Sequence, residues 1–218
     1  MADYSSNAYW KGRSREQTDI EWHCAYKTLH AVLVPHISKE RCSVLVCGSG
    51  ASTFPEELYD GGVNDVMVVD FNEEALEELR ARNASGRSGL RIEQADIGNG
   101  LELSSREVGF DLVIDKGTID CILSQSGGFP RAVNALQAMY SYMKTPATLV
   151  LVSHSPPQDR MDLFRSVYWH EVKVQVVRPP AVQDLVSGKH SEECLEDVPE
   201  SAALCYEPGM SFVYSLVK

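Results

Sequence analysis

Glycines and carboxylates stand at the ends of three predicted strands, where a parallel sheet gathers ligand-binding groups. Gly48 and Gly50 follow the first strand directly, and glycine lets the backbone turn sharply and lets a ligand approach closely. Asp70 ends the second strand, where its carboxylate can accept hydrogen bonds from the two hydroxyls of a ribose. Asp96 follows the third strand, where it can accept from an adenine amino group. Together these positions predict a pocket for an adenosine-containing ligand.

Two adenosine-containing cofactors compete for such a pocket, NAD(P) and S-adenosylmethionine. The dinucleotide fingerprint requires a third glycine after two intervening residues, but that position is Thr53. A G-x-G pair by itself can be only a tight turn, and an acid after a strand can be only a helix cap. Here the glycine pair and the two acids occur together, each at the end of a successive predicted strand. This combination, with seven predicted strands and an irregular final connection, favours S-adenosylmethionine.

Short apolar runs alternate with helical stretches, which predicts a doubly wound sheet. Helices are expected after Asn72, after Pro130 and from Asp162 to Tyr168. The predicted strands cover residues 43–47, 66–70, 90–94, 110–115, 147–153, 172–177 and 211–217. The last two strands break the alternation. The expected fold class is therefore α/β, a Rossmann-like doubly wound seven-stranded sheet that is mostly parallel with an antiparallel edge strand.

The length of 218 residues suits a single domain, and no linker divides the sequence. Residues 1–40 are expected to form an N-terminal helical lid over the cofactor. Residues 178–209 are rich in proline and acids and are expected to form an irregular acidic loop. That loop is either a solvated surface segment or an insertion that faces the substrate.

Composition and charge exclude several classes of protein. The net charge of −11 argues against direct nucleic-acid binding and suits a basic protein partner. The six cysteines form no C-x-x-C pair and the histidines have no ligand-like spacing, so we predict reduced thiols and no metal. The N-terminus has no hydrophobic signal core, and no apolar run could span a membrane. We therefore predict a cytoplasmic protein.

A more specific resemblance rests on four segments of the chain. They are the N-terminal signature Tyr9-Trp10 with Arg13 and Trp22, the strand and loop Val44 to Ser52, the segment FDLVIDKGTID at 110–120, and the stretch Pro157 to Trp169. With these segments the chain resembles the methyltransferase-like family of class I S-adenosylmethionine-dependent methyltransferases that includes the elongation factor 1-alpha lysine methyltransferases. The family pattern is altered at Ser14, Ser49, Ala51 and Pro146-Ala147, which suggests a distant relative whose substrate differs.

The resemblance implies a site for S-adenosyl-L-methionine. The residues that match its motif positions are Trp10, Trp22, Gly48, Asp70, Phe71, Asp96, Ile97 and Lys116. Lys116 is expected to pair with the carboxylate of the cofactor, as the family match implies. Trp10 and Trp22 are expected to pack against the cofactor or to attract a methylated ammonium by cation–π interaction, although aromatic residues at such positions often belong to the core.

Asp115, at the carboxyl end of the fourth predicted strand, is the candidate catalytic residue. A lysine ammonium must lose a proton before it can attack a sulfonium methyl group, and a nearby carboxylate can orient it or relay that proton. The alternative roles for Asp115 are binding the charged end of the cofactor and capping the turn that follows. Asp120 is expected to be structural.

The predicted function is the transfer of a methyl group to a lysine side chain of a basic protein, with translation elongation factor 1-alpha as the candidate acceptor. Two alternatives stay open: a small-molecule methyltransferase, and a non-catalytic binding partner that keeps the fold. The retained acids Asp70 and Asp96 and the DKGT segment argue against the non-catalytic alternative, since a scaffold has no physical need for them.

Overall fold

The computed structural model describes residues 21–37, 41–84, 86–104, 109–178, 193–199 and 209–218. The strands are β1 (Ser43–Cys47), β2 (Asp65–Asp70), β3 (Leu90–Gln94), β4 (Phe110–Lys116), β5 (Met143–Ser153), β6 (Glu171–Arg178), β7 (Cys194–Val198) and β8 (Ser211–Val217). The helices are α1 (Tyr26–Ile37), α2 (Phe54–Asp60), α3 (Glu73–Asn83), α4 (Thr118–Leu123), α5 (Gly128–Tyr142) and α6 (Pro157–Phe164). A short 3-10 helix covers Ile97–Asn99.

The strands form one sheet in the order β3-β2-β1-β4-β5-β8-β6-β7. The first five of these pair in parallel, β8 is antiparallel to β5 and β6, and β7 is antiparallel to β6. The chain leaves β1 toward β2 on one side and returns to β4 on the other. This reversal of strand order opens a crevice at the carboxyl ends of β1 and β4, where open α/β sheets bind their ligands.

The sheet is covered on both faces, which explains why its central strands are apolar throughout. Alternate residues of β1 point to opposite faces, so Val44 and Val46 join one apolar cluster and Leu45 and Cys47 join the other. Helices α1 and α2 contribute to the first cluster, and α4, α5 and α6 to the second. These two layers hold the carboxyl ends of the strands in fixed positions.

The α/β, Rossmann-like prediction is confirmed, and all seven predicted strands are present within a few residues of their expected bounds. The sheet has an eighth strand, β7, inside the segment 178–209 that the sequence analysis expected to be irregular. Its sequence CLEDV carries two acids and no run of β-branched residues, so it gave no strand signal. It is held by pairing with β6, from Val174 opposite Val198 to Arg178 opposite Cys194.

Two helix predictions need adjusted bounds. The helix expected from Asp162 to Tyr168 begins at Pro157 and ends at Phe164, because proline is well tolerated in a first helical turn. The helix expected after Pro130 begins at Gly128. Among the described helices, none is both long and apolar enough to cross a membrane.

Candidate functional site

A cavity of about 430 Å³ opens at the switch point, beside the carboxyl ends of β1, β2 and β4. Its size lies in the range of ordinary small-molecule and cofactor pockets. The predicted cofactor residues that line it are Trp22, Gly48, Gly50, Asp70, Phe71, Asp96, Ile97 and Lys116. Trp10 lies outside the described residues, and Asp115 is not part of the lining.

The glycine loop closes the base of the cavity against helix α4. Gly48 has a φ of +71°, and a Cβ built there would lie 1.8 Å from Thr118 Oγ1. That hydroxyl donates a hydrogen bond of 3.0 Å to the carbonyl of Cys47. Glycine is therefore required at position 48 both by the backbone conformation and by the close approach of α4.

Asp70 is held rigidly at the end of β2 and is only 6 % exposed. Its Oδ2 accepts from the backbone N–H of Gly50 at 2.8 Å, and its Oδ1 accepts from that of Asn72 at 2.8 Å. Burial raises the pKa of this carboxyl, and the backbone N–H groups oppose that effect. A carboxylate offers about four acceptor positions, so the contacts with the backbone N–H groups of Gly50, Phe71 and Asn72 leave acceptor capacity for a ribose hydroxyl.

Asp96 differs from Asp70, because other residues of the protein already occupy the acceptor positions of its carboxylate. Its oxygens accept from the N–H of Gly98 at 3.0 Å, from Asn99 Nδ2 at 2.8 Å and from Arg131 Nη2 at 3.1 and 3.2 Å. An adenine amino group would therefore have to displace one of these donors. Arg131 and Asn99 also line the cavity, so they are close enough to the ligand to rearrange when it binds.

Lys116 fixes the N-terminal segment against the cavity. Its Nζ lies 2.8 Å from Glu21 Oε2 and donates to the carbonyl of Trp22 at 3.0 Å. Glu21 also accepts from the hydroxyl of Ser52, and the Lys116 side chain is 8 % exposed. A pairing of Lys116 with the carboxylate of a cofactor, as the family match implies, would compete with Glu21 for the same ammonium group.

Asp115 does not reach the position that the sequence analysis expected for a catalytic residue. Its side chain is fully buried and both its oxygens face the backbone N–H of Ile119 at 3.3 Å. Burial raises the pKa of Asp115 to about 8. This location corresponds to the alternative role of capping the turn after β4, because a side chain sealed in the core cannot contact a methyl acceptor.

A polar cluster that the sequence analysis missed surrounds Asp120 on helix α4. Its Oδ1 accepts from Ser153 Oγ and from Arg160 Nη2, both at 2.6 Å, and its Oδ2 lies 2.6 Å from His154 Nδ1. Burial alone would raise the pKa of Asp120, but the hydrogen bond from His154 and the charge of Arg160 hold that pKa well below its usual range. The residues come from three separate segments, so no spacing in the sequence reveals the cluster.

The cavity meets the requirements of an adenosine-containing methyl donor. Gly48 provides the close approach, Asp70 retains acceptor capacity for a ribose, and Ile97 offers an apolar surface, being 4 % exposed. These residues meet at the switch point of the sheet, where the fold class places its nucleotide ligands.

Comparison with known proteins agrees with this geometry. A family model described as a methyltransferase domain matches residues 38–195. The eEF1A lysine and N-terminal methyltransferase of Danio rerio is 36 % identical over 129 residues, which are 58 % of this chain and 18 % of that protein. The EEF1A lysine methyltransferase 4 of Mus musculus is 32 % identical over 124 residues, which are 56 % of this chain and 47 % of that protein. The chain therefore spans less than half the length of either relative.

Solved structures share the fold at low sequence identity. The N-methyltransferase NodS from Bradyrhizobium japonicum, bound to S-adenosyl-L-homocysteine, superposes with a TM-score of 0.59 at 14 % identity, over 99 % of this chain and 94 % of that one. TrmN from Thermus thermophilus gives a TM-score of 0.55 at 16 % identity, over 96 % of this chain and 52 % of that one. The match of the family model over most of the chain shows that the chain belongs to the methyltransferase-domain family of class I S-adenosylmethionine-dependent methyltransferases, and the geometry of the cavity agrees with this.

Proposed function

We propose that the enzyme transfers its methyl group to a lysine side chain of another protein, and that translation elongation factor 1-alpha is the first acceptor to test. The relatives that carry this name align over more than half of the chain. The observation in the molecule that supports the proposal most is the acidic character of the edge where the cavity opens.

Two acids, Glu21 and Glu193, lie close to Cys24, and Lys116 partly balances the charge of Glu21. Glu21 lies beside the cavity through its contacts with Lys116 and Ser52. Glu193 accepts from the hydroxyl of Thr28 on α1, and the charges of Glu21, Glu193 and Lys116 all act on the nearby thiol of Cys24. An incoming ammonium group is attracted by such carboxylates, which also reduce its repulsion from a sulfonium.

The connection between β6 and β7 begins and ends at the same edge of the sheet as the cavity. Strand β6 runs parallel to β5, because both are antiparallel to β8, so it ends at the edge of the sheet that holds the cavity. Arg178 pairs with Cys194 across β6 and β7, so the segment 179–192 leaves and rejoins the described residues at that edge. This supports the substrate-facing alternative for the acidic segment 178–209.

The chemistry assigns a separate task to each part of the site. Bound S-adenosylmethionine supplies an electrophilic methyl group on a sulfonium. Asp70 and the glycine loop orient the adenosine part, and in-line methyl transfer depends mainly on such positioning. The acids at the cavity edge attract the acceptor ammonium and favour its approach from solvent, where its proton is lost before attack.

We also propose that residues 1–40 act as a lid within a single domain. The support is the anchoring of Glu21 and Trp22 by Lys116, together with the position of Trp22 in the cavity wall. A cytoplasmic location belongs to the same proposal. It agrees with the described cysteines Cys24, Cys42 and Cys47, which are buried and form no disulfide.

The experiment is to incubate the enzyme and tritiated S-adenosylmethionine with recombinant elongation factor 1-alpha made in bacteria. Tritium incorporated into the factor, followed by mass spectrometry of its peptides, should locate the methyl group on a lysine. The Asp70→Ala variant provides the inactive control, and Asp162→Ala, which changes an exposed acid far from the cavity lining, provides the matched active control.

Label on a lysine of the factor supports the proposal. Label on its N-terminal amine, or label on other proteins of a whole-cell lysate with none on the factor, would replace the proposed acceptor. Label transferred only to a low-molecular-weight fraction would overturn protein methylation and favour a small-molecule acceptor.

A further inference from the structure

We infer that His23, Asp120 and His154 form a binding site for a divalent transition-metal ion such as Zn²⁺, next to the cofactor cavity. One ligand atom from each side chain lies within 4.8 Å of the other two. Two imidazole nitrogens and one carboxylate oxygen are ligands that zinc commonly takes in proteins. The inference concerns ion binding alone and does not depend on the identity of the methyl acceptor.

His23 gives the second, independent sign of a missing ligand. Its side chain is 6 % exposed, and its Nε2 has no hydrogen-bond partner among the described residues. That nitrogen points at Asp120 Oδ2 from 3.7 Å, which is too far for a hydrogen bond.

The second nitrogen of His23 has the partner that metal-bound histidines usually have. His23 Nδ1 lies 3.3 Å from Ser211 Oγ, and that hydroxyl also contacts the His23 carbonyl at 3.4 Å. If the Nδ1 position carries the proton and donates it to Ser211, the lone pair of Nε2 faces the carboxylate. A cation between Nε2 and Oδ2 would satisfy both atoms, and a hydrogen bond on the opposite ring nitrogen is the usual support of a metal-binding imidazole.

The two oxygens of the Asp120 carboxylate have different partners, and Oδ2, which accepts from the backbone N–H of His154 at 2.9 Å, is the one that faces both imidazoles. Asp120 Oδ1 accepts from Ser153 and Arg160, both at 2.6 Å. Asp120 Oδ2 faces the two imidazoles, 2.6 Å from His154 Nδ1 and 3.7 Å from His23 Nε2. Ligand atoms about 2.0–2.2 Å from a tetrahedral zinc ion are separated by roughly 3.3 Å, so small movements of these side chains would accommodate the ion.

The site is accessible from solvent and lies against the cavity wall. The His154 side chain is 56 % exposed, which gives an ion a route to the cluster. A Cβ at Gly117 would lie 2.7 Å from His23 Nε2, and Gly117 itself lines the cavity. The competing arrangement is a proton on His154 that joins it to Asp120, with no ion, and it predicts that metal does not bind.

Titration of the full chain with Zn²⁺ distinguishes the two arrangements. The protein is first treated with a chelator and desalted, then titrated with Zn²⁺ in a calorimeter and with Co²⁺ in a spectrophotometer. We expect one ion per chain and the visible absorption of a tetrahedral cobalt site. His154→Gln, which keeps a hydrogen-bonding group beside Asp120, should weaken binding by roughly tenfold or more.

The controls separate this site from adventitious binding. His170→Ala removes an exposed histidine outside the cluster and should leave the affinity unchanged. Ser211→Ala should weaken binding by about 10- to 100-fold through loss of the hydrogen bond on His23. A thermal shift with S-adenosylhomocysteine verifies that each variant is folded.

Absence of zinc binding to the chelator-treated protein would overturn the inference. Equal affinities of the wild type, His154→Gln and His170→Ala would overturn it as well. Thiolate-to-cobalt charge-transfer bands would do the same, because they would assign the ion to cysteines elsewhere in the chain.

Discussion

The cofactor cavity and the polar cluster around Asp120 are built in different ways. At the cavity, Gly48 and Asp70 lie at the ends of adjacent strands and are held by backbone contacts. In the cluster, Asp120 of α4 accepts mainly from the side chains of Ser153, at the end of β5, and Arg160, on α6. Backbone geometry therefore fixes the binding groups of the cofactor cavity, whereas contacts between side chains hold most of the Asp120 cluster together.

This difference bears on how each region tolerates change. A binding group held by the main chain retains its position as long as the sheet is intact. A cluster held by side chains can acquire a new ligand or lose one by a single substitution, while the fold stays the same. The cofactor cavity is thus expected to be common to the family, and the Asp120 cluster is expected to vary.

The largest loss of folding stability is expected for Gly48→Ala. The added Cβ would lie 1.8 Å from Thr118 Oγ1, and the residue has a φ of +71°. The left-handed conformation costs about 1–2 kcal/mol for alanine, and overpacking adds typically 1–3 kcal/mol. We expect urea unfolding to show a free-energy loss of about 2–5 kcal/mol, the sum of these two costs.

Gly127→Ala is the matched control for that measurement. Gly127 has a φ of +69°, nearly the same conformation, but a Cβ there would meet no atom within 4 Å. Its loss of stability should therefore correspond to the backbone cost alone. Equal losses in the two variants would contradict the proposed close approach of α4 to the glycine loop.

A gain of folding stability that depends on pH is expected for Asp115→Asn. Burial raises the pKa of Asp115 to about 8 in the folded protein, whereas an unfolded aspartate titrates near 4. Between these values the folded state binds more protons, so the wild type loses up to about 1.4 kcal/mol of stability per pH unit as pH rises. Asparagine cannot ionise, so the variant should gain stability relative to the wild type between pH 5 and 8.

Chemical denaturation of both proteins across that pH range checks this prediction. A stability difference that does not change with pH would show that Asp115 is ionised in the folded state. Methyl transfer abolished in a variant with unchanged stability and cofactor binding would return Asp115 to the catalytic role that the sequence analysis expected.

The strands whose ends line the cavity could be predicted from the sequence, for physical reasons. Parallel strands buried on both faces are apolar throughout, so their ends are visible in the sequence, and ligand residues such as Asp70 and Asp96 follow those ends directly. The burial of Asp115 was not foreseen, because the end of a strand does not reveal whether a side chain faces the cavity or the core.

The Asp120 cluster could not be predicted from spacing. His23 and Asp120 are separated by most of the N-terminal half of the chain, and only the fold brings them together. The prediction that the chain binds no metal rested on the spacing of the histidines, which carries no information on ligands from distant segments. Strand β7 was missed for a related reason, since its acidic sequence is held by pairing with β6.

The most direct test of the central claim, that the switch-point cavity binds the methyl donor, is calorimetric titration with S-adenosylhomocysteine. The wild type and Asp162→Ala should bind it with equal affinity. Asp70→Ala should bind roughly 10- to 100-fold more weakly, because hydrogen bonds to a charged carboxylate are lost. If folded Asp70→Ala binds as tightly as the wild type, the cofactor lies elsewhere and the assignment of this cavity is wrong.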